Sequence, residues 1–363
     1  MNRHPAPISN FEFSPEDIKE AVRRGRLLSM EIEFSLRCNF RCPYCYVPRE
    51  DQLKNELCLD EIRDTILQAK ALGARKIIIL GGEPTIYPHT LELIRFMRGH
   101  ELEVEIFSNG SGITAEFARQ LHAMQVRVVM KMNSFDAELQ DRLSGLPGAH
   151  RIIHDALEHL KSAGYPSAEH FLAVSSIICP QNIDELPGMW QWLREQGIAP
   201  YFEIITPQAN ARHNDWLMVD PLELERFFQD IADMDRRLFG QEWEIQPPLV
   251  GNKCMRHKFS CLVNAQGYVM PCVGVTIPLG NIRQQPLTRI LAESQVLKDL
   301  KDHRHTIKGP CHDCDRAEEC YGCRGAAYQL TGDYLASDPL CWRNCRTQKL
   351  QCASAVPQKR SAV

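Results

Sequence analysis

The chain alternates between two hydrophobic periods from residue 31 to residue 239. Six short runs of β-branched and apolar residues predict strands, at Glu31–Leu36, Lys76–Leu80, Glu101–Phe107, Val126–Met132, Phe171–Ile178 and Tyr201–Thr206. Segments with apolar positions three and four apart predict the intervening helices, at Asp60–Leu72, Thr90–Gly99, Thr114–Met124, Ala149–Ala163, Ile183–Gln196 and Leu222–Phe239. This alternation predicts an α/β fold with a parallel sheet. Either an open, curved barrel or a doubly wound sheet is compatible with six such units.

Local signals mark the ends of several elements. Ser14 followed by Pro15 predicts the capped start of a helix that ends at Arg24. The segment Gln246-Pro247-Pro248 predicts a linker after the last helix of the core. We therefore expect a helical lead-in at 1–29, a core at 30–240, a cysteine-rich domain at 251–345 and a tail at 346–363.

Composition narrows the classes of function. The 363 residues include 42 Lys and Arg against 46 Asp and Glu, and this net charge of -4 gives no basic excess for binding nucleic acid. No apolar run approaches the roughly 20 residues of a membrane helix, and residues 1–30 lack the apolar segment of a signal peptide. We expect a cytoplasmic protein that does not bind membranes. Its 15 cysteines are then expected to bind metal, because disulfides are rare in a reducing cytosol.

Three cysteines, Cys38, Cys42 and Cys45, directly follow the first predicted strand. They should therefore lie at the carboxyl edge of the sheet, where α/β active sites form. The next thiol, Cys58, is thirteen residues further along the chain and is expected at the start of a helix. Three thiolates can hold an iron–sulfur cluster with one open iron, whereas a structural zinc site normally has four ligands. A zinc knuckle without its last ligand is the alternative.

A second motif, Gly81-Gly82-Glu83-Pro84, directly follows the second predicted strand. The glycines would let a ligand approach the backbone, and Glu83 offers an acceptor for an ammonium group. With the Cys-x3-Cys-x2-Cys loop, this motif resembles the radical S-adenosylmethionine (radical SAM) enzymes over residues 30–239. The resemblance implies a partial (β/α)6 barrel related to the TIM barrel. It also implies a [4Fe-4S] cluster on the three cysteines and SAM on its open iron, with the SAM amino group held by Gly81, Gly82, Glu83 and Pro84.

Other positions at this edge match the family's SAM contacts less closely. Ser108 and Asn109, after the third strand, resemble the segment near the SAM carboxylate and ribose, with a plain turn as the alternative. Lys131 and Ser134 close the fourth strand, and Lys131 stands where the family commonly has serine. The Lys131 ammonium is expected to pair with the SAM carboxylate, and a snorkelling edge residue is the alternative. Asn182, after the fifth strand, is a weaker candidate.

Eight further cysteines crowd the last third of the chain, at Cys254, Cys261, Cys272, Cys311, Cys314, Cys320, Cys323 and Cys341. The segment from Cys261 to Cys272 predicts a hairpin with Gly267 at its turn. A zinc ribbon on the two Cys-x2-Cys pairs is one interpretation, but it leaves four of these thiols without a role. The segment resembles the SPASM domain of radical SAM enzymes over residues 251–344, which implies two auxiliary [4Fe-4S] clusters and therefore three clusters in the chain.

By position, the resemblance assigns Cys254, Cys261, Cys272 and Cys323 to a first auxiliary cluster, and Cys311, Cys314, Cys320 and Cys341 to a second. Cys320 and Cys323 are one residue closer in sequence than in the usual family pattern, which questions the assignment of these two. The remaining cysteines are Cys58, Cys179, Cys345 and Cys352, and they match no ligand position. We expect Cys58 and Cys179 to be buried and free.

The resemblance implies a radical SAM oxidoreductase or maturase, which reductively cleaves SAM to a 5′-deoxyadenosyl radical and abstracts hydrogen from its substrate. Most relatives with this second domain modify peptides or proteins, and others modify haem precursors. We expect a peptide or protein side chain as substrate, with a haem precursor as the alternative and a non-catalytic iron–sulfur electron carrier as a different class. Val273 stands where sulfatase maturases have an aspartate base, which argues against that activity.

The partners follow from the same resemblance. A low-potential electron donor such as ferredoxin or flavodoxin is implied. Because only residues 1–30 precede the first strand, we expect a separate leader-binding protein for the peptide, or a non-peptide substrate. No catalytic base stands out. Three polar residues lie in and just beyond the sixth predicted strand, where they could face the substrate, but we expect them to be solvated: Glu203, Gln208 and Arg212.

Overall fold

A computed structural model describes residues 13–47 and 54–347 of the chain. The strands are β1 Ser29–Glu33, β2 Lys76–Leu80, β3 Glu103–Ser108, β4 Arg127–Lys131, β5 Leu172–Ile178, β6 Ala199–Ile204, β7 Leu262–Val263, β8 Tyr268–Met270 and β9 Gly280–Asn281. The helices of the core are α1 Pro15–Arg24, α2 Leu59–Ala71, α3 Thr90–Gly99, α4 Ala115–Ala123, α5 Ala137–Ser144, α6 Ala149–Ala163, α7 Leu186–Glu195 and α8 Pro221–Phe239. Those that follow are α9 Leu287–Glu293, α10 Gln295–Lys301, α11 His303–Thr306, α12 Arg324–Thr331 and α13 Trp342–Thr347.

The nine strands form one sheet in the order β6-β5-β4-β3-β2-β1-β7-β8-β9. Strands β1 to β6 are parallel, and each pairs with its neighbour in sequence. A doubly wound sheet would reverse its strand order at a switch point, and this sheet does not. The expected open barrel of six βα units is therefore confirmed.

The two faces of this sheet have different chemistry because side chains alternate along each strand. The outer face is apolar and belongs to one large core under the helices, with Met30, Ile32, Ile77 and Ile79 fully buried. The inner face is mixed. It combines an apolar group around Tyr201 with charged side chains that are paired with one another, and this face lines the barrel lumen.

Capping residues in the sequence correctly predicted where several helices begin. Helix α1 has Ser14 as its cap, whose Oγ accepts the backbone N–H of Asp17 at 3.1 Å. Thr114 caps α4 in the same way. Helix α5 was not predicted, because its eight residues are too few for a clear apolar period. Its Asp136 cap and the left-handed Gly145 that ends it are the signals that could have revealed it.

The predicted hairpin is present as β7 and β8, with Gly267 at φ 82° in its turn. Strand β7 also pairs in parallel with β1, where Glu31 and Ile32 face Leu262 and Val263. The cysteine-rich segment thus extends the barrel sheet directly. Within the described ranges we find no helix with the length and apolar content that crossing a bilayer requires.

Candidate active site

The loop that carries Cys38, Cys42 and Cys45 follows β1, with Cys38 five residues after its end, and packs backbone to backbone against the turn after β2. The N–H of Gly82 donates to the carbonyl of Ser35 at 2.9 Å, and the N–H of Glu83 donates to that of Arg37 at 2.8 Å. A Cβ at position 82 would lie 2.0 Å from the Arg37 carbonyl oxygen. The glycines were expected to admit a ligand. The structure shows that they admit the cysteine loop itself.

Two other segments hold the far side of this loop. The N–H of Arg41 donates to the carbonyl of Ser144, at the end of α5, at 2.9 Å. Beyond β6, the N–H of Asn210 donates to the carbonyl of Cys45 at 3.2 Å, and the Asn214 amide donates to that of Pro43 at 3.1 Å. The loop is therefore fixed from several sides, and so are the positions of its three thiols.

The three thiols are partly buried and close enough to influence one another. Burial, together with the neighbouring Cys45, raises the pKa of Cys38 to about 11 and that of Cys42 to about 12. Without a metal these thiols therefore keep their protons at neutral pH. Iron ions favour the thiolate strongly enough to displace such protons, and three thiols on one loop are a suitable donor set for an iron–sulfur cluster.

Glu83 has a different surrounding from the one expected. Its side chain is 2% exposed, and its carboxylate accepts the N–H of Asn109 at 2.6 Å, the hydroxyl of Ser108 at 2.7 Å and the N–H of Thr85 at 3.0 Å. Burial raises its pKa. The carboxylate thus ties the turn after β2 to the turn after β3, where it is already saturated with donors. Pro84, also buried, begins the short 3₁₀ turn at Pro84–Ile86.

Asn109 lies beside the cysteine loop. Its side-chain Nδ2 donates to Cys38 Sγ at 3.7 Å and to Asn39 Oδ1 at 3.2 Å. The Ser108 hydroxyl, by contrast, is used by Glu83 and by the N–H of Gly110. Of the two residues expected near SAM, Asn109 therefore reaches the site, and Ser108 supports it from behind.

Lys131 lies at the end of β4 on the inner face of the barrel. Its Nζ donates to Glu203 Oε1 at 2.9 Å and to Ser175 Oγ at 2.7 Å, and its side chain is 29% exposed. Glu203 lies on β6, within the strand predicted there, and it forms this ion pair instead of being simply solvated. An ammonium has three N–H groups, and these contacts use two of them.

The structure does not bring Ser134 and Asn182 to the lumen. Both are fully buried. Ser134 Oγ accepts the N–H of Asp136, and the Asn182 amide bonds to the carbonyls of Asn133 and Ile177. These residues link the ends of β4 and β5. Of the two remaining residues expected to be solvated, Gln208 is buried, contrary to expectation, while Arg212 donates to Gln329.

Glu33 is a lumen residue that sequence analysis missed. Its side chain is 3% exposed, and it accepts the hydroxyl of Tyr46 at 3.0 Å and the N–H of Ala265 at 3.3 Å. Burial raises its pKa to about 7. Tyr46 in turn accepts the N–H of Gly81 at 3.2 Å, so Glu33 connects the cysteine loop with the β7–β8 hairpin. Its alternation with Met30 and Ile32 was the available signal.

The C-terminal cysteines form two groups, one that includes Cys323 and one that includes Cys311. Burial raises the pKa of Cys323 to about 12, and the nearby Cys272 thiol adds to this shift. The backbones two residues beyond these cysteines approach each other closely at Gly274 and Gly325. Tyr321 donates its hydroxyl to Cys254 Sγ at 3.9 Å. In the other group, burial raises the pKa of Cys320 and of Cys341, and Cys311 contributes to both shifts.

The unassigned cysteines differ from one another. Cys179 is buried and free, as expected, whereas Cys58 is exposed at the N-terminal cap of α2 and corrects that expectation. Cys345 is disulfide-bonded, and Cys352 lies outside the described residues. Across 13–47 and 54–347, no three His, Cys, Asp or Glu side chains meet closely enough to hold a single metal ion.

Comparison with known proteins decides the family. The model of the radical SAM superfamily matches residues 32–193, and that of an iron-sulfur cluster-binding domain, SPASM, matches residues 254–315. The chain belongs to the radical SAM superfamily. This radical SAM enzyme is similar over nearly its whole length to curated members. The AdoMet-dependent heme synthase of Methanosarcina barkeri is 26% identical, with 87% of this chain and 96% of the relative covered. The PqqA peptide cyclase of Methylobacterium nodulans is 27% identical, with 85% and 84% covered.

Solved structures share the fold of this radical SAM enzyme. Streptococcus suis SuiB bound to precursor peptide SuiA superimposes with a TM-score of 0.68 at 15% identity, over 90% of this chain and 79% of SuiB. The structure of anSMEcpe with bound AdoMet gives 0.66 at 17% identity, over 89% and 91%. The radical SAM and SPASM domains imply [4Fe-4S] clusters and SAM as cofactors.

Proposed function

We propose that Cys38, Cys42 and Cys45 ligate the cluster that binds SAM. The cluster, when bound, supplies the electron that cleaves SAM to methionine and a 5′-deoxyadenosyl radical. The supporting observation is the clamped cysteine loop. Its backbone is fixed against Gly82, Ser144 and Asn210, so three thiols are presented together at the carboxyl edge of the barrel.

SAM would lie between this loop and the lumen. We assign its amino group to the backbone at Gly81 and Gly82, because the Glu83 carboxylate is saturated by protein donors. Lys131, with one N–H remaining, would bind the SAM carboxylate. Asn109, 3.7 Å from Cys38 Sγ, would steady a cluster ligand.

The auxiliary clusters take the remaining eight ligands in this proposal. The first uses Cys254, Cys261, Cys272 and Cys323, and the second uses Cys311, Cys314, Cys320 and Cys341. The neighbourhood of Cys323 with Cys272, and of Cys320 with Cys311, supports this division despite the shorter spacing. A low-potential donor such as ferredoxin or flavodoxin would supply the electrons.

We infer that the substrate is a peptide or protein side chain, bound in the lumen. The inference depends on charge. The cations identified on the inner face each have a carboxylate partner: Lys76 and Arg127 pair with Glu105, and Lys131 pairs with Glu203. At the base of the lumen, Arg256 pairs with Glu31. A substrate with several carboxylates would have to displace such pairs, whereas a peptide can bind through neutral hydrogen bonds.

A haem precursor is the second candidate. It is favoured by the similarity to an AdoMet-dependent heme synthase over 96% of that protein. The two candidates are separated by anaerobic incubation of the reconstituted enzyme with SAM and dithionite, alone, with a synthetic peptide library, or with a haem-precursor porphyrin. We expect peptides to raise 5′-deoxyadenosine formation above its basal rate, with a mass change in the responding peptide. Stimulation by the porphyrin alone would support the second candidate.

A further inference from the structure

Arg324 is a fully buried cation in the cysteine-rich domain. It directly follows Cys323, begins α12 and is 1% exposed. Its Nη1 donates to the carbonyls of Ala336 at 2.6 Å and Tyr334 at 3.1 Å. Its Nε and Nη2 are also buried, but neither has a hydrogen-bond partner. Within the described part of the chain, Arg324 forms no ion pair.

A buried cation without a counter-charge is costly, since desolvation of a charged group must be offset by pairing. Asp338 is buried nearby, but its carboxylate accepts the backbone N–H groups of Cys323 at 2.7 Å and Leu340 at 2.9 Å. Protein groups therefore satisfy only one nitrogen of this guanidinium. The remaining N–H groups can take a further acceptor, and an anionic one would also offset the charge of the guanidinium.

A second buried donor lies close by. His257 is 2% exposed, and neither of its ring nitrogens has a hydrogen-bond partner. Its ring stacks on Tyr321 with centroids 5.3 Å apart, and the Tyr321 hydroxyl donates to Cys254 Sγ. Unpartnered donors thus occur on the residue that follows Cys323 and on the ring that stacks on Tyr321, the hydrogen-bond partner of Cys254. An anionic cluster with sulfide acceptors fits this donor set.

We infer that Arg324 is a positioning residue that compensates the charge of the first auxiliary cluster and raises its reduction potential. Reduction adds negative charge, so a buried cation beside the cluster stabilises the reduced form. The second cluster is approached instead by neutral donors, the backbone N–H of Asp338 and the Asn344 amide, which bond to Cys311 Sγ. The first cluster should therefore be the easier of the two to reduce. The inference rests on the proposed ligand assignment.

The test is an EPR-monitored redox titration of the reconstituted full-length enzyme. A variant with Cys38, Cys42 and Cys45 all changed to alanine identifies the signal of the SAM-binding cluster. We expect Arg324→Met to lower the potential of one auxiliary cluster. The ratio of reduced to oxidised cluster at a fixed potential should fall at least tenfold, which is about 59 mV for a one-electron couple. Arg324→Lys should keep most of the wild-type reduction potential. Arg346→Met, at an arginine 65% exposed on helix α13, should change nothing.

Each outcome has a defined meaning. An unchanged potential in Arg324→Met, or an equal shift in Arg324→Lys, would overturn the inference, because the effect would not depend on charge. Loss of four irons from the Met variant but not from the Lys variant would support it, and loss from both would overturn it. The proposed function is tested separately, because the triple cysteine variant should keep about eight irons. If it holds none, the ligand assignment itself fails.

Discussion

Gly82→Ala tests whether the backbone packing described above holds the active-site loop. The new Cβ would lie 2.0 Å from the Arg37 carbonyl oxygen and 2.4 Å from its carbonyl carbon. Ordinary contact is about 3.5 Å, so the loop must retreat by more than about 1 Å. This movement breaks the two backbone hydrogen bonds of Gly82 and Glu83, at about 1 kcal/mol each. Overpacking adds about 1–3 kcal/mol.

The assay is iron content per chain after anaerobic reconstitution, together with 5′-deoxyadenosine formation. We expect about twelve irons in the wild type and about eight in Gly82→Ala, because only the cluster on the displaced loop is lost. Gly99→Ala is the matched control, since a Cβ at that position meets nothing within 4 Å. A Gly82→Ala enzyme with full iron and wild-type SAM cleavage would refute the reasoning.

Further predictions concern single lumen side chains. Burial raises the Glu33 pKa from 4.5 to about 7, so it should stay protonated in the folded state while the unfolded chain ionises. Stability should therefore fall between pH 4.5 and 7, by up to about 3 kcal/mol, and Glu33→Gln should remove this pH dependence from melting curves. Lys131→Ala should weaken SAM binding by roughly ten- to a hundredfold in equilibrium dialysis, with unchanged iron content, because one charge-assisted bond is lost. Glu203→Gln should tighten SAM binding by freeing Lys131, and weaker binding would contradict the assignment. Asn109→Leu should shift the EPR signal of the SAM-binding cluster while iron content stays constant.

Sequence analysis located correctly those elements whose hydrophobic period and end residues lie within the element itself. Strand β2 and helices α3 and α6 match their predicted bounds, since each has a clear period and polar or glycine ends. Helix α5 and strand β7 were missed as elements of the core. Helix α5 is short, and β7, predicted as part of a hairpin, joins the core sheet only by pairing with β1, which is more than 200 residues away in sequence.

The candidate site shows the same difference between features set by local sequence and features set by contacts between strands. Motif spacing was sufficient to single out the cysteine loop and Gly81-Gly82-Glu83-Pro84, but it could not predict what their side chains contact. Glu83 was expected to face a ligand, and it faces Ser108 and Asn109, because the end of the neighbouring strand supplies two donors and Thr85 supplies a third. Lys131 was expected to pair with the SAM carboxylate, and its pairing with Glu203, which β6 brings to 2.9 Å from its Nζ, was not predicted. Such contacts depend on which strands are adjacent in the sheet.

The most direct test of the central claim, that the Cys38–Cys45 loop carries the SAM chemistry, is 5′-deoxyadenosine formation under anaerobic conditions with SAM and dithionite. The wild type should form 5′-deoxyadenosine slowly even without substrate. Cys58→Ala should do the same, since Cys58 is an exposed thiol outside the proposed ligand set. Cys45→Ala should form none. Product formation by Cys45→Ala at the wild-type rate would contradict the account.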